Sequence, residues 1–253
     1  MSDDSALRRR WYPETDAGGF SRIDGTVEFF SRVQAVLPRE GAVVDLGAGR
    51  GKWQEDPCTW RRRLCDLRGD GRLVIGVDID TVVEQNTAVD VAVLLGHDGT
   101  FPFRDGSLRA VVADWVFEHI DDPAVTAQEL TRTVAPGGWV CARTPNKWGY
   151  VGVGARLVPN RQHVRFLRRL QPYRNELDVF PVRYYLNTLP AIARAFPAPY
   201  WLDCSYVYNP DPSYFGDSPT GLMLLQAWQR VAPRPFGAIL HVFLQRRPSV
   251  VRE

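Results

Sequence analysis

Val43-Val44-Asp45-Leu46-Gly47-Ala48-Gly49-Arg50-Gly51 joins an apolar run to a glycine-rich turn. Glycines at such a turn let the backbone adopt positive φ and approach a ligand closely. A helix beginning just beyond would add free N–H groups and a partial positive charge, suited to a carboxylate. The spacing Gly47, Gly49, Gly51 is one residue short of the G-x-G-x-x-G dinucleotide fingerprint. Asp45 closes the apolar run with an acid, awkward beside a pyrophosphate and apt beside an amino group. A turn of purely structural purpose is the plain alternative.

Gly76-Val77-Asp78-Ile79-Asp80 is a second strand-like run that ends in acids. A carboxylate there can accept hydrogen bonds from both hydroxyls of a ribose. Asp78 is the better ligand and Asp80 the better helix cap, with capping the bland reading for both. His119, just past a fourth apolar run, is placed to take a proton from a hydroxyl acceptor, or else only to hydrogen-bond structurally. His163 is a second, weaker candidate for the same task.

These residues need elements to hold them. Apolar runs at 42–46, 73–77, 89–95, 109–113 and 138–143 read as strands. A helix is expected over 21–37, where Val27, Phe30, Val33 and Leu37 recur at three- and four-residue spacing, and another near 122–134. Pro136-Gly137-Gly138 punctuates the chain before the fifth strand. A helix at 184–195, a strand at 200–207, a helix at 219–230 and a strand at 237–245 follow, the last pair read as closing the sheet edge. Continuous apolar strands separated by helices mean a parallel sheet covered on both faces, doubly wound by right-handed crossovers.

The set VVDLGAGRG, GVDID, GHDGTFPFRDGSLRAVVADWVFEHI and ELTRTVAPGGWVCARTPN, over residues 41–146, resembles the class I, Rossmann-like S-adenosylmethionine-dependent methyltransferases of small-molecule type. The resemblance implies an α/β three-layer sandwich with a mainly parallel seven-stranded sheet whose last strand is antiparallel. It implies S-adenosyl-L-methionine as cofactor. Gly47, Ala48 and Gly49 would cradle its methionine part, with Asp45 toward the amino group. Asp78 would hold the ribose and Ile79 would lie against the adenine. Asp98, beside Gly99, would accept from the adenine amino group, unless it is simply a turn residue in His97-Asp98-Gly99. Asp114 and Trp115 would close over the sulfonium end. The activity implied is methyl transfer, most naturally to oxygen, in natural-product or glycan biosynthesis.

The 253 residues fit a single domain: arm and helix at 1–40, cofactor core at 41–146, lid insert at 147–183, and the rest of the sheet at 184–253. Residues 147–175 hold seven basic residues, Arg161 among them, and no acid. Three readings compete there: a solvated lid face, a pocket for an acidic acceptor, and peripheral contact with an anionic membrane as a lipid-linked acceptor would need. Trp11, Tyr12, Tyr150 and Tyr184 are candidate walls of an acceptor cavity. A net charge of +2 and the lack of a recognisable RNA module argue against nucleic acid. The four cysteines show no metal-ligand spacing, so no metal is expected, and Cys141 reads as a small buried hydrophobe. No apolar leader or membrane-length run is visible, so a cytoplasmic protein is expected. Oligomeric state is not legible. A nicotinamide-dependent oxidoreductase or epimerase and a non-catalytic binding module of the same fold are the rival classes.

Overall fold

The computed structural model describes residues 9–96, 99–157, 181–212 and 218–248. Strands β1 (Gly41–Leu46), β2 (Arg72–Asp78), β3 (Val91–Leu94), β4 (Leu108–Asp114) and β5 (Val134–Pro145) form the parallel part of one sheet. The remaining strands are β6 (Trp201–Asp203), β7 (Tyr206–Tyr208) and β8 (Ile239–Arg246). Their order is β3-β2-β1-β4-β5-β8-β6, with β7 also on β8. β8 is antiparallel to β5, β6 and β7. β6 and β7 share one register on β8, from Trp201↔Arg246 to Tyr208↔Ile239, and act as a single interrupted edge strand. The sheet thus has seven strand positions, as expected. The last strand does not close the edge, however; it lies inside, between β5 and β6–β7.

Strand alternation separates two cores. Val44, Leu46, Val111, Ala113, Val140, Ala142, Leu240 and Val242 face one side with Leu130 of α3 (Pro123–Thr133) and Ile192 of α5 (Leu189–Ala195). Val43, Val74, Ala110, Val112, Cys141 and Phe243 face the other side with Phe29, Phe30 and Val33 of α1 (Gly25–Val36) and Leu64 of α2 (Thr59–Cys65). Cys141 is fully buried, and the four cysteines are free thiols.

Local chemistry sets the helix starts. Asp24 caps α1 by accepting from Thr26 N and Val27 N, and Asp122 caps α3 by accepting from Ala124 N and Val125 N. The helix expected at 184–195 begins only at Leu189. Tyr184 has φ +56, outside the helical region, and the Asn187 amide is spent on Thr144 Oγ1 and Pro145 O. Thr188 then caps α5 by accepting from Ala191 N. Pro136-Gly137-Gly138 does not precede β5 but bulges within it. Val134 pairs with Leu108 and Trp139 with Ala110, leaving the residues between to loop out, with Gly137 at φ +80. Of the expected lid, α4 (Tyr150–Leu157) is described and 158–180 fall outside the described residues. Among the described residues no helix is long and apolar enough to cross a membrane.

Phe29 is fully buried between α1 and the sheet, 5.7 Å from the Phe243 ring. Phe29→Ala should lower unfolding stability by about 3–5 kcal/mol in denaturant melts; a loss under about 1 kcal/mol would mean α1 does not carry this core.

Candidate functional site

The parallel strands end together at one edge, where doubly wound sheets bind ligands. The turn after β1 is held there by β2: Gly47 N and Ala48 N donate to Val77 O at 2.7 and 3.2 Å. Gly47 and Gly49 have φ +71 and +47. A Cβ on Gly47 would strike the Val116 side chain, whereas one on Gly49 would project into open space. The turn is therefore closed toward Val116 and open around Gly49. A single 3₁₀ turn, Lys52–Glu55, follows in place of a long helix.

Asp78, at the end of β2, accepts from Gly49 N at 2.8 Å and from Asp80 N at 3.0 Å, one on each oxygen. Its carboxylate is thereby fixed beside the glycine turn. Asp80 in turn caps the next 3₁₀ segment by accepting from Val82 N. Asp80 thus takes the capping role that the sequence implied. Ile79 stands 54% exposed next to Asp78, an apolar surface at the strand edge. Gly99 has φ +73. Asp98, Arg161 and His163 lie outside the described residues.

Asp45 and Asp78 lie on the sheet face covered by α1 and α2, as does Asp114 at the end of β4. Burial first, then repulsion from Asp114 and Asp78, raises the Asp45 pKa from 3.8 to about 7. Asp114 has its own counter-charge. Arg143, one strand over and directly opposite in register, donates from Nε and Nη2 to the two Asp114 oxygens at 2.6 and 2.7 Å. Its third nitrogen donates to Thr26 Oγ1 at 2.9 Å. The Arg143 side chain is only 7% exposed and lies 5.1 Å from the Trp115 ring. Trp115 has φ +61, its N–H donating to Arg143 O at 2.8 Å, so it is turned over the pair. Asp45 lacks such a partner in register, and its carboxyl suits a cation brought by a ligand.

The rest of the edge is built by the segment after β4 and by β5 and β8. His119, on a 3₁₀ turn, contacts Pro181 O through Nδ1 at 2.8 Å. A carbonyl only accepts, so Nδ1 carries the proton and Nε2 the lone pair in the neutral ring. Nε2 is 4.0 Å from Glu118 Oε1. Glu118 is buried, accepts from Thr144 Oγ1 at 2.8 Å, and has its pKa raised by burial to about 7. His241 on β8 lies opposite Arg143 and beside Tyr206; burial first, then Arg143, lowers its pKa to about 3, so the ring is neutral.

The predicted acceptor walls lie in different settings. Tyr12 is buried, and its hydroxyl accepts from Gln226 Nε2 at 2.9 Å, which packs the amino-terminal arm on the helix Pro219–Val231 (α6). Trp11 and Tyr150 are half-buried, and Tyr184 N donates to Glu118 O at 3.3 Å. Sequence reasoning passed over Arg143 and Glu118. The signal for Arg143 was a charged residue at the end of an apolar strand, matching Asp114 in position. Two surface depressions, one including Cys58 and Trp60 and one including Leu202 and Arg247, contain none of the strand-end acids.

A glycine cradle and converging carboxylates at the carboxyl edge of a parallel sheet define a Rossmann-like domain for a nucleoside-type ligand. Residues 44–142 match the family described as a methyltransferase domain. The matched segment runs from β1 into β5, the part of the sheet that carries the glycine turn and the strand-end acids. It is 29% identical over 136 residues to the dimethylglycine N-methyltransferase of Parasynechococcus marenigrum (strain WH8102), spanning 50% of this chain and 45% of that protein. It is 33% identical over 115 residues to an uncharacterized 37.1 kDa protein in a transposon of Streptomyces fradiae, spanning 43% of this chain and 31% of that protein. The matches thus span less than half the length of these relatives. The fold is similar to that of geranyl diphosphate C-methyltransferase from Streptomyces coelicolor A3(2), solved with Mg2+, geranyl diphosphate and S-adenosyl-L-homocysteine. That similarity has a TM-score of 0.52 at 15% identity, covering 86% of this chain and 79% of the other. It is also similar to a chain in a Haloferax volcanii complex containing the Trm112 methyltransferase activator, with TM-score 0.53 at 16% identity, covering 97% and 96%.

A carboxyl whose folded pKa exceeds its unfolded value holds its proton more tightly when folded. Wild type relative to Asp45→Asn should therefore lose stability as pH rises from about 4 to about 7, and change no further above it. Chemical melts of the ligand-free proteins across that range check this; a difference independent of pH would show that Asp45 ionises normally.

Proposed function

We propose that the chain transfers a methyl group from S-adenosylmethionine to a small-molecule acceptor. The observation that carries the reading is the glycine turn at Gly47–Gly49, open around Gly49, with Asp45 leading into it and Asp78 bonded to it. These residues fit the cofactor's parts. Asp45 would face the amino group. Asp78 keeps unused lone pairs on a carboxylate already aligned by Gly49 N and Asp80 N, as two ribose hydroxyls require. Ile79 offers an apolar face for the adenine. The bound cofactor supplies an activated methyl group. The chain has then to hold the acceptor in line with it and exclude water, which is mainly proximity and orientation.

The finer reading is transfer to oxygen, with His119 Nε2 taking the hydroxyl proton while Nδ1–H stays on Pro181 O. Trp115 and the Asp114–Arg143 pair form the wall between cofactor half and acceptor half.

Calorimetry with S-adenosylhomocysteine tests the cofactor. We expect saturable binding that strengthens from pH 6 to pH 8 as Asp45 ionises, a flat pH response in Asp45→Asn, and at least about tenfold weaker binding in Asp78→Ala, or about 1.4 kcal/mol. No uptake of S-adenosylhomocysteine, or preferential uptake of a nicotinamide dinucleotide, removes the proposal.

With an acceptor identified by mass-shift screening of hydroxylated small molecules, His119→Ala should lower turnover by about 10²–10⁴-fold. Unchanged turnover at every pH excludes His119 as the base.

A further inference from the structure

α6 (Pro219–Val231) turns Leu222 inward and ties Gln226 to Tyr12 and Gln229 to Pro210 O. Its opposite face is apolar. Met223, Leu224, Trp228 and Val231 recur at helical spacing and are 53%, 67%, 44% and 75% exposed. Phe236, in the 3₁₀ turn that follows, is 42% exposed. Exposed apolar side chains gathered on one helix face mark an interaction surface.

Two further observations name the partner. Arg230 and Arg234 are exposed in this same segment, and residues 218–248 contain no Asp or Glu. Apolar and aromatic side chains bordered by arginines on an amphipathic helix match an anionic lipid surface. A symmetric contact with a second copy would set these arginines against each other. It would also use five apolar side chains, where a standard protein interface engages about 20–30 residues a side. The turn carrying Phe236 is also stitched to the acceptor side of the site: Asn146 Nδ2, just past β5, donates to Pro235 O at 2.7 Å and Gly237 O at 2.8 Å.

We propose that the exposed face of α6, with Phe236, Arg230 and Arg234, docks the protein on an anionic lipid surface with its acceptor side toward the bilayer. This surface is distinct from the basic stretch 147–175. Docking stands without methyl transfer. Its consequence, an amphiphilic acceptor drawn from the membrane, rests on that reading, and the S-adenosylhomocysteine titration decides it separately.

The full chain is sedimented with vesicles of equal parts phosphatidylcholine and phosphatidylglycerol, and with pure phosphatidylcholine vesicles, at low and physiological salt. Wild type should bind the mixed vesicles at least about tenfold better than the neutral ones, and less as salt rises. Leu224→Ser/Trp228→Ser should lose most binding to both. Arg230→Ala/Arg234→Ala should lose the preference for anionic lipid while keeping the residual apolar binding. Thermal melting confirms that each variant is folded, and the two variants alter different chemistry, so one suffices if the other fails to fold. The proposal is overturned if wild type ignores anionic vesicles at low salt, or if the folded variants bind as wild type does. It is also overturned if light scattering shows a dimer that Leu224→Ser/Trp228→Ser dissolves.

Discussion

The guanidinium of Arg143 is the constraint around which the carboxyl edge of the sheet is arranged. Parallel register delivers Asp78, Asp45 and Asp114 to one face of adjacent strands. Carboxylates so placed repel one another, and Asp114 and Asp78 both raise the pKa of Asp45. Arg143 neutralises one with two short hydrogen bonds and is itself enclosed by Thr26, Phe29, Phe30 and Trp115. A buried ion pair of this kind contributes little net stability, yet removing one partner strands the other. Its effect is selective. Asp114 is satisfied by Arg143, Asp78 is satisfied by backbone N–H groups, and Asp45 is left with a raised pKa. The site's appetite for a cation is thus concentrated on one carboxyl.

The same arginine couples the cofactor half to the rest of the fold. Asp114, Arg143, His241 and Tyr206 sit side by side on successive strands. Tyr206 donates to Glu28 at 2.9 Å, and Glu28 pairs with Arg32, so the polar row runs from β4 across the sheet into α1. His241, lacking charge, lets the row pass between two arginines without adding a third cation.

The parallel core was legible because each strand is a short apolar run that stops at a glycine or an acid. The turn chemistry of Gly47–Gly49 and the capping role of Asp80 were legible for the same reason: both are local. What escaped depends on partners distant in sequence. Arg143 reads as an ordinary surface charge until register sets it against Asp114, and Glu118 as a neighbour of His119 until Thr144 buries it. The start of α5 was misplaced because Asn187 serves the end of β5 rather than its own helix. Tyr12 was offered as an acceptor wall because an aromatic in an arm gives no sign of the helix it packs on. The inner position of β8 follows from pairing alone; its apolar pattern would suit an edge equally well.

That inner position bears on how the chain assembles. β5 is complete at Pro145, and β6 and β7 by Tyr208, but the strand that belongs between them is synthesised only afterwards. Until Ile239–Arg246 emerges, β5 and the β6–β7 strand each present an unpaired backbone edge, the kind of template on which nascent chains associate wrongly. Insertion of β8 must close two ladders, one of them with β5 about a hundred residues back, a non-local step that is slow by nature. Maturation of the sheet is therefore last-in, with the final strand acting as keystone.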